Sequence, residues 1–399
     1  MKPRHRLLLA ILALLLLTAG ILLIFKWDAL TFRVDRATTW LHFVFDPINT
    51  PATVESAEPE AQIDLPSYPI ATATPAAQTP LPAKVMLPPP PFDPQKDLQG
   101  WNNCGPATLA LALRYWGWQG DQDTVAAIIK PSDQDRNVNA EELATFTNQY
   151  ASLESAIRVA GDEQTLKRFL AAGYPVIVET SLALTESFWP GDDRWSSHFL
   201  LLTGYDDASS TFTAQDVFNG PDTRIGYTKL LDDWESFNYL YMVIYPSTDE
   251  IIMANLFGSD WSTETNWQKA AVMAAAATKN NPNDRFAWFN LGASLAALGQ
   301  YDQAWQAFTT ARQLGLPQRM FRYQFSIFQA AYETGHTQEL LDLTAYALEI
   351  TPNSEEAFYW QGKAFLSLQQ YAQARQSFVT ALSFRADYVE AIQALNAIH

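Results

Sequence analysis

The sequence predicts an α+β domain, preceded by an N-terminal transmembrane helix and followed by an all-α repeat superhelix. Three observations support this. Leu7 to Phe25 is apolar or small throughout apart from Thr18, and follows a basic tip. Between about Gln95 and Pro246, helix-like segments come first and β-rich segments follow, the order of an α+β arrangement. Beyond residue 262, small and aromatic residues recur with a spacing of 35, the signature of a helical repeat. The expected boundaries are 1–27 for the cytoplasmic tip and membrane anchor, 28–94 for a juxtamembrane segment and linker, 95–248 for the α+β domain, and 262–399 for the repeats.

The apolar run is long enough to cross a bilayer. Lys2, Arg4 and Arg6 before it place the N-terminus in the cytoplasm and the rest of the chain outside. A cleavable signal peptide is the rival reading, but its apolar core is usually shorter and no small-residue cleavage site follows this run. The expected location is therefore the cell membrane, single-pass, with both folded domains extracytoplasmic. Residues 28–48, with Phe32, Trp40, Phe43 and Phe45 among basic groups, suit a helix lying at the membrane surface. From Pro47 to Pro94 the chain turns to Pro, Ala, Thr and Glu, with the tetrad Pro88–Pro91. Such a stretch buries no core and is extended and semi-rigid.

The net charge is −17. Residues 1–96 are neutral (8 basic, 8 acidic), 97–249 carry −13 (9 basic, 22 acidic) and 250–399 carry −4 (9 basic, 13 acidic). Acid concentrated on one domain argues against nucleic acid as a partner. Cys104 is the only cysteine, so no intramolecular disulfide forms.

Gln99-Gly-Trp-Asn-Asn-Cys104-Gly-Pro-Ala leads into Thr108–Tyr115, so a polar loop delivers the cysteine to the first turn of a helix. The partial positive charge and free N–H groups there favour a thiolate. Pro106 suits a position where its missing N–H costs nothing, and Gly105 is expected to let a substrate backbone approach the sulfur. Gln99 and the Cys104 backbone N–H are candidate donors to an oxyanion. Of five histidines, His198 alone lies in the same domain. It opens a strand, His198-Phe-Leu-Leu-Leu-Thr-Gly-Tyr-Asp-Asp207. Asp216, on the next strand Thr211–Val217, is positioned to orient the imidazole, with Asp206 and Asp207 as weaker rivals. No histidine or cysteine spacing suggests a metal site, and no cofactor is expected.

The order Gln99…Cys104-Gly-Pro-Ala…His198…Asp216 resembles the peptidase C39-like group of papain-like cysteine peptidases over about residues 95–246. The resemblance implies a papain-like catalytic domain in which Gln99 forms the oxyanion hole, Cys104 attacks, His198 is the general base and Asp216 orients it. It also implies a peptide or protein substrate. One branch of that family is fused to ATP-binding cassettes, and this sequence holds no Gly-x-x-x-x-Gly-Lys motif.

Within the domain, helices are expected over Asp121–Lys130, Asn139–Tyr150 and Asp162–Ala172, the last ended by Gly173. Strands are expected over Ser155–Ala160, Pro175–Thr180, Ile225–Thr228 and Leu240–Tyr245. Ser187–Trp195 is a long aromatic loop that either walls a cleft or packs on the surface. In the repeats, Gly292, Tyr301, Ala304, Phe308 and Ala311 recur as Gly362, Tyr371, Ala374, Phe378 and Ala381. This pattern resembles the tetratricopeptide repeat, which implies a surface for a protein partner; buttressing the catalytic domain is the other reading. In the middle repeat Ile327 and Glu339 stand where the register asks for Gly and Ala. Thr263–Lys279 and Asp387–Ile398 are read as flanking helices. A cysteine peptidase is the leading functional expectation, and a non-catalytic binding scaffold is the alternative.

Overall fold

Asp or Asn side chains cap three helices of the α+β region, and apolar alternation sets its sheet. In this computed structural model the described residues are 27–45, 63, 80–130 and 138–398. The run 7–25 expected to span a membrane lies outside them. Among the described residues no helix is long and apolar enough to cross a membrane.

The chain divides into two units. The smaller holds helix α1 (Trp27–Phe45) and residues 186–192. Within it Arg36 pairs with Glu186, and the Phe43 ring lies 5.2 Å from that of Trp189. Of the segment 28–48, the described residues 28–45 are thus helical, and Phe43 packs against Trp189.

The larger unit contains a seven-stranded sheet. Its strands are β1 (Lys84–Met86), β2 (Glu154–Arg158), β3 (Val176–Ala183), β4 (Trp195–Asp206), β5 (Thr211–Asp216), β6 (Gly220–Gly226) and β7 (Tyr241–Tyr245). The order is β2-β7-β3-β4-β5-β6, antiparallel throughout, and β1 pairs with the end of β4. The sheet therefore takes in residues ahead of the expected boundary at 95.

Two helical layers cover the sheet, because side chains alternate between faces along a strand. Ile177, Phe199, Leu201, Met242 and Ile244 pack with α2 (Cys104–Tyr115), α3 (Gln122–Ile129) and α4 (Ala140–Tyr150), through Leu109, Leu111, Val125 and Phe146. Val176, Val178, Leu200, Leu202 and Val243 pack with α5 (Glu163–Ala171), α6 (Tyr227–Trp234) and α7 (Glu250–Phe257), through Leu166, Phe169, Trp234 and Phe257. Burial on both faces explains the unbroken apolar run Phe199–Leu202. Asp121 and Asp162 each accept from the third helical N–H, and Asn139 and Glu142 form a capping box. Gly173, at φ +95°, ends α5 as expected.

The structure corrects several element readings. β4 begins at Trp195, three residues before His198. The strand read at Ile225–Thr228 is the end of β6, and Tyr227 already starts α6. Helix α7 was not foreseen, since Ile-Ile-Met-Ala-Asn-Leu-Phe has no polar stripe to mark a helical period.

The C-terminal region is all helical: α8 (Thr263–Asn280), α9 (Arg285–Ala297), α10 (Tyr301–Gln313), α11 (Ser326–Glu333), α12 (Thr337–Ile350), α13 (Glu355–Ser367), α14 (Tyr371–Phe384) and α15 (Val389–Asn396). A Cβ on Gly292 would lie 2.7 Å from the Phe308 ring, and one on Gly362 would lie 2.5 Å from the Phe378 ring. The repeating glycines thus give the aromatic of the partner helix its seat. In the middle pair Ile327 is fully buried, whereas Glu339 is exposed, so that repeat packs without the small residues.

These helices bond directly to the α+β region. Asn290 Nδ2 donates to the Glu235 carbonyl at 2.7 Å, Asn238 Nδ2 to Ser294 Oγ at 3.0 Å, and Gln324 Nε2 to the Ser236 carbonyl at 2.8 Å. Tyr323 packs against Trp195, and Arg385 pairs with Glu142 at 3.0 Å.

Candidate functional site

The loop before Cys104 is built to leave a helix end open. Asn102 turns it with φ +52°, a conformation that Asn tolerates better than most residues. Asn103 sits at the N-cap of α2, but its side chain makes no capping bond. Its amide instead bonds Gln122 and Lys130, which leaves first-turn N–H groups of α2 available. Cys104 is the first residue of α2 and is partly exposed. Gly105 is buried against Val138, 3.0 Å from where its Cβ would stand. The glycine therefore serves close packing of the helix start, not the approach of a substrate.

His198, 5% exposed, comes from β4 opposite Thr180 of β3. Thr180 Oγ1 donates to the His198 carbonyl at 3.1 Å. On one side the ring interacts with the Cys104 sulfur, strongly enough to shift the ionisation of both groups. On the other, Nε2 lies 2.9 Å from Asp216 Oδ1, which leaves Nδ1 to the sulfur. Asp216 ends β5 and is 3% exposed. Its Oδ1 also accepts from the Phe218 and Asn219 N–H groups at 2.8 and 3.1 Å, and its Oδ2 from Asn219 Nδ2 at 2.7 Å.

The electrostatics favour a charged pair. Burial pushes the Cys104 thiol up, but the bond to His198, its charge, and N–H groups of Phe199 and Gly105 outweigh this and leave the pKa lowered. Burial disfavours the imidazolium, yet Asp216 and the Cys104 sulfur raise His198 to about 9. Burial works against the Asp216 carboxylate as well, and His198 and Asn219 bring it down to about 2. A thiolate, an imidazolium and a carboxylate in line are thus mutually stabilising.

Gln99 is tied by its backbone N–H to the Val217 carbonyl at 2.7 Å. Its Oε1 is buried and has no hydrogen-bond partner among the described residues. Asp206 and Asp207 lie elsewhere: Asp206 pairs with Lys84 at 2.8 Å, and Asp207 with Lys167 at 2.6 Å. Of the three aspartates considered, the fold brings only Asp216 to the imidazole.

Several residues around the site escaped the sequence reading. Asn219 follows the end of β5, in a turn where an Asn carries no functional signal of its own. Phe218, 59% exposed, sets its ring edge-on to His198 at 6.2 Å. Glu179 is buried on β3 and accepts from Ser197 Oγ at 2.6 Å. Burial holds its carboxyl well above the usual carboxylate range, and the nearby negative charges of Glu141 and Cys104 add to this. Gln122 and Lys130 also reach the loop from α3. Their one sequence signal was their position at the two ends of a short amphipathic helix.

Residues 89–242 match the model of the Peptidase_C39 like family. That segment takes in Gln99, Cys104, His198 and Asp216, and it forms a peptidase C39-like domain. Among solved structures, the chain is similar to a protein described as a C39-like peptidase from Bacillus anthracis, at 18% identity and a TM-score of 0.33, over 40% of this chain and 96% of that one. It is similar to xylellain, a cysteine protease from Xylella fastidiosa, at 15% identity and a TM-score of 0.32, over 42% of this chain and 87% of that one. A third similar structure is MamA, at 16% identity and a TM-score of 0.30, over 35% of this chain and 80% of that one. No curated protein sequence matches.

Proposed function

We propose that the chain is a membrane-anchored, extracytoplasmic cysteine peptidase of the C39-like type that hydrolyses amide bonds in a peptide or protein. The observation that carries this reading is His198 Nε2 lying 2.9 Å from Asp216 Oδ1, in a ring whose ionisation is coupled to that of the Cys104 sulfur.

The Cys104 thiolate attacks the scissile carbonyl carbon, and the carbonyl oxygen takes up the negative charge. The Cys104 backbone N–H and the Gln99 amide N–H₂ stabilise that oxyanion. The imidazolium of His198 gives its proton to the leaving nitrogen as the C–N bond breaks, which leaves a thioester on Cys104. His198, now neutral, takes a proton from water. The hydroxide displaces the sulfur, the peptide acid departs, and the thiolate–imidazolium pair is restored. Asp216 keeps the ring in the tautomer and orientation both steps need. Asn219 in turn holds the carboxylate.

The repeats hold the catalytic domain through Asn290, Gln324 and Arg385, and in this proposal their remaining surface recruits a protein partner or substrate. The basic tip and the 7–25 run anchor the chain with its N-terminus in the cytoplasm.

Alkylation tests the reading. Cys104 should react with iodoacetamide below pH 7, and His198→Ala should abolish that reaction. A wild-type thiol that stays inert until the ordinary thiol range would sink the peptidase and favour the binding scaffold.

A further inference from the structure

The loop that carries Gln99 and Cys104 is gripped from outside the catalytic constellation by one short helix. Gln122, the first residue of α3, is 8% exposed. Its Nε2 donates to the carbonyls of Lys96 at 2.6 Å and Leu98 at 2.9 Å. Its Oε1 accepts from the Gly100 N–H at 2.8 Å and from Asn103 Nδ2 at 3.2 Å. Both donors and both acceptor sites of the amide are therefore in use. The partners bracket Gln99 on both sides and end on the residue before Cys104. At the other end of α3, Lys130 Nζ donates to the Trp101 carbonyl at 2.7 Å, the Asn102 carbonyl at 3.3 Å and Asn103 Oδ1 at 2.9 Å. Between them, these two side chains bond the backbone or side chain of Lys96, Leu98, Gly100, Trp101, Asn102 and Asn103.

We infer that Gln122 is a positioning residue for amide hydrolysis: by pinning the 96–103 loop it sets the Gln99 amide against the Cys104 backbone N–H, the two donors an oxyanion would meet. The chemical half of this inference rests on the peptidase reading above; the structural half does not. An oxyanion hole works only when its donors stand at hydrogen-bond distance from where the charge develops. Gln99 Oε1 is buried with no hydrogen-bond partner among the described residues, so the placement of this amide leans on the backbone that Gln122 fixes. Thiolate formation draws on His198 and on first-turn N–H groups of α2, and without the Gln122 amide Lys130 still holds Asn103 Oδ1 away from those groups.

The test separates these contributions with Gln122→Met, which keeps the length of the side chain and removes all four bonds, in the full-length protein. Three readouts are compared with wild type: iodoacetamide alkylation of Cys104 at pH 6, kcat and KM on an internally quenched peptide mixture, and hydrogen exchange at Gly100 to Asn103. Alkylation should stay within about twofold while kcat falls by roughly tenfold or more at little changed KM. The Gly100 and Asn103 amides should exchange faster. Gln122→Glu, which keeps an acceptor for Gly100 but opposes the carbonyls of Lys96 and Leu98, should fall between the two and serves if the Met variant does not fold. Equal losses of alkylation and hydrolysis would reduce Gln122 to a part of the general fold and overturn the inference. So would wild-type hydrolysis in the variant. If wild-type Cys104 neither alkylates at pH 6 nor supports hydrolysis, the peptidase reading fails separately. Exchange then decides, and unchanged protection at Gly100 and Asn103 overturns the positioning role too.

Discussion

His198 Nε2 lies 2.9 Å from Asp216 Oδ1, and every other hydrogen bond to that carboxylate comes from the turn directly after it: Phe218 N, Asn219 N and Asn219 Nδ2. The Asp216 carboxylate is therefore held by the turn that follows it, and the imidazole is the one side chain from another strand among these partners. Asp216→Ala should lower kcat and the pH 6 alkylation rate by roughly tenfold or more, because the imidazolium loses its counter-charge and its fixed tautomer. Asp206→Ala and Asp207→Ala, which remove pairs with Lys84 and Lys167, should leave both rates near wild type. A larger loss at either of those two than at Asp216 would reassign the third residue.

The same pair predicts the pH profile. With His198 raised to about 9, kcat/KM should fall on an alkaline limb centred near pH 9, where the proton donor for the leaving nitrogen is lost. The acid limb should reflect the lowered thiol pKa of Cys104. Asp216→Ala should move the alkaline limb down, towards the ordinary imidazole value. A profile whose upper limb ignores that substitution would show that another group sets it.

Stability should follow the same ionisations with opposite signs. His198 has a folded pKa above its ordinary 6.5, so its contribution is complete below that value and is lost as pH rises through about 9. Asp216 is depressed from 3.8 to about 2, so its contribution is complete above 3.8 and is lost as pH falls through about 2. Denaturant melts of wild type and His198→Ala across pH 5 to 10 should converge towards the alkaline end. Parallel curves over that range would contradict the assignment.

Gly292→Ala and Gly362→Ala each place a methyl within 2.7 and 2.5 Å, respectively, of a fully buried phenylalanine ring. Each should destabilise by about 1–3 kcal/mol, the usual cost of overpacking. That corresponds to a Tm lower by several degrees, at roughly 2–4 °C per kcal/mol. Scanning calorimetry of the two variants measures it, and an unchanged Tm would mean that these helix pairs can separate freely.

Deletion of residues 1–27 should move the protein from the membrane pellet to the soluble fraction after cell disruption, with alkylation of Cys104 preserved. Retention in the pellet would place the anchor elsewhere in the chain.

Local rules carried much of this from residues to structure. The caps at Asp121, Asn139 and Asp162, the glycine after α5 and the repeating Gly–Phe pairs could be read because each depends on neighbours in sequence or on a fixed period. Cys104 at a helix head, with Gln99 before it, was legible for the same reason. Helix α7 and the start of α6 were not, since an all-apolar segment and a strand running directly into a helix carry no contrasting period. Asn219, Gln122, Lys130 and the buried Glu179 were missed because an Asn in a turn, or a polar residue at a helix end, looks the same whether it faces water or another segment.

By itself the sequence determined that the cysteine heads a helix, that one histidine shares its domain, and that paired helices follow on a period of 35. The tertiary structure alone decided which aspartate meets the imidazole, what grips the loop before Cys104, and that the repeats bond the α+β domain. These are contacts between segments far apart in the chain. Strand pairing and burial choose them after each segment has formed, and no pattern within a single segment records its partner.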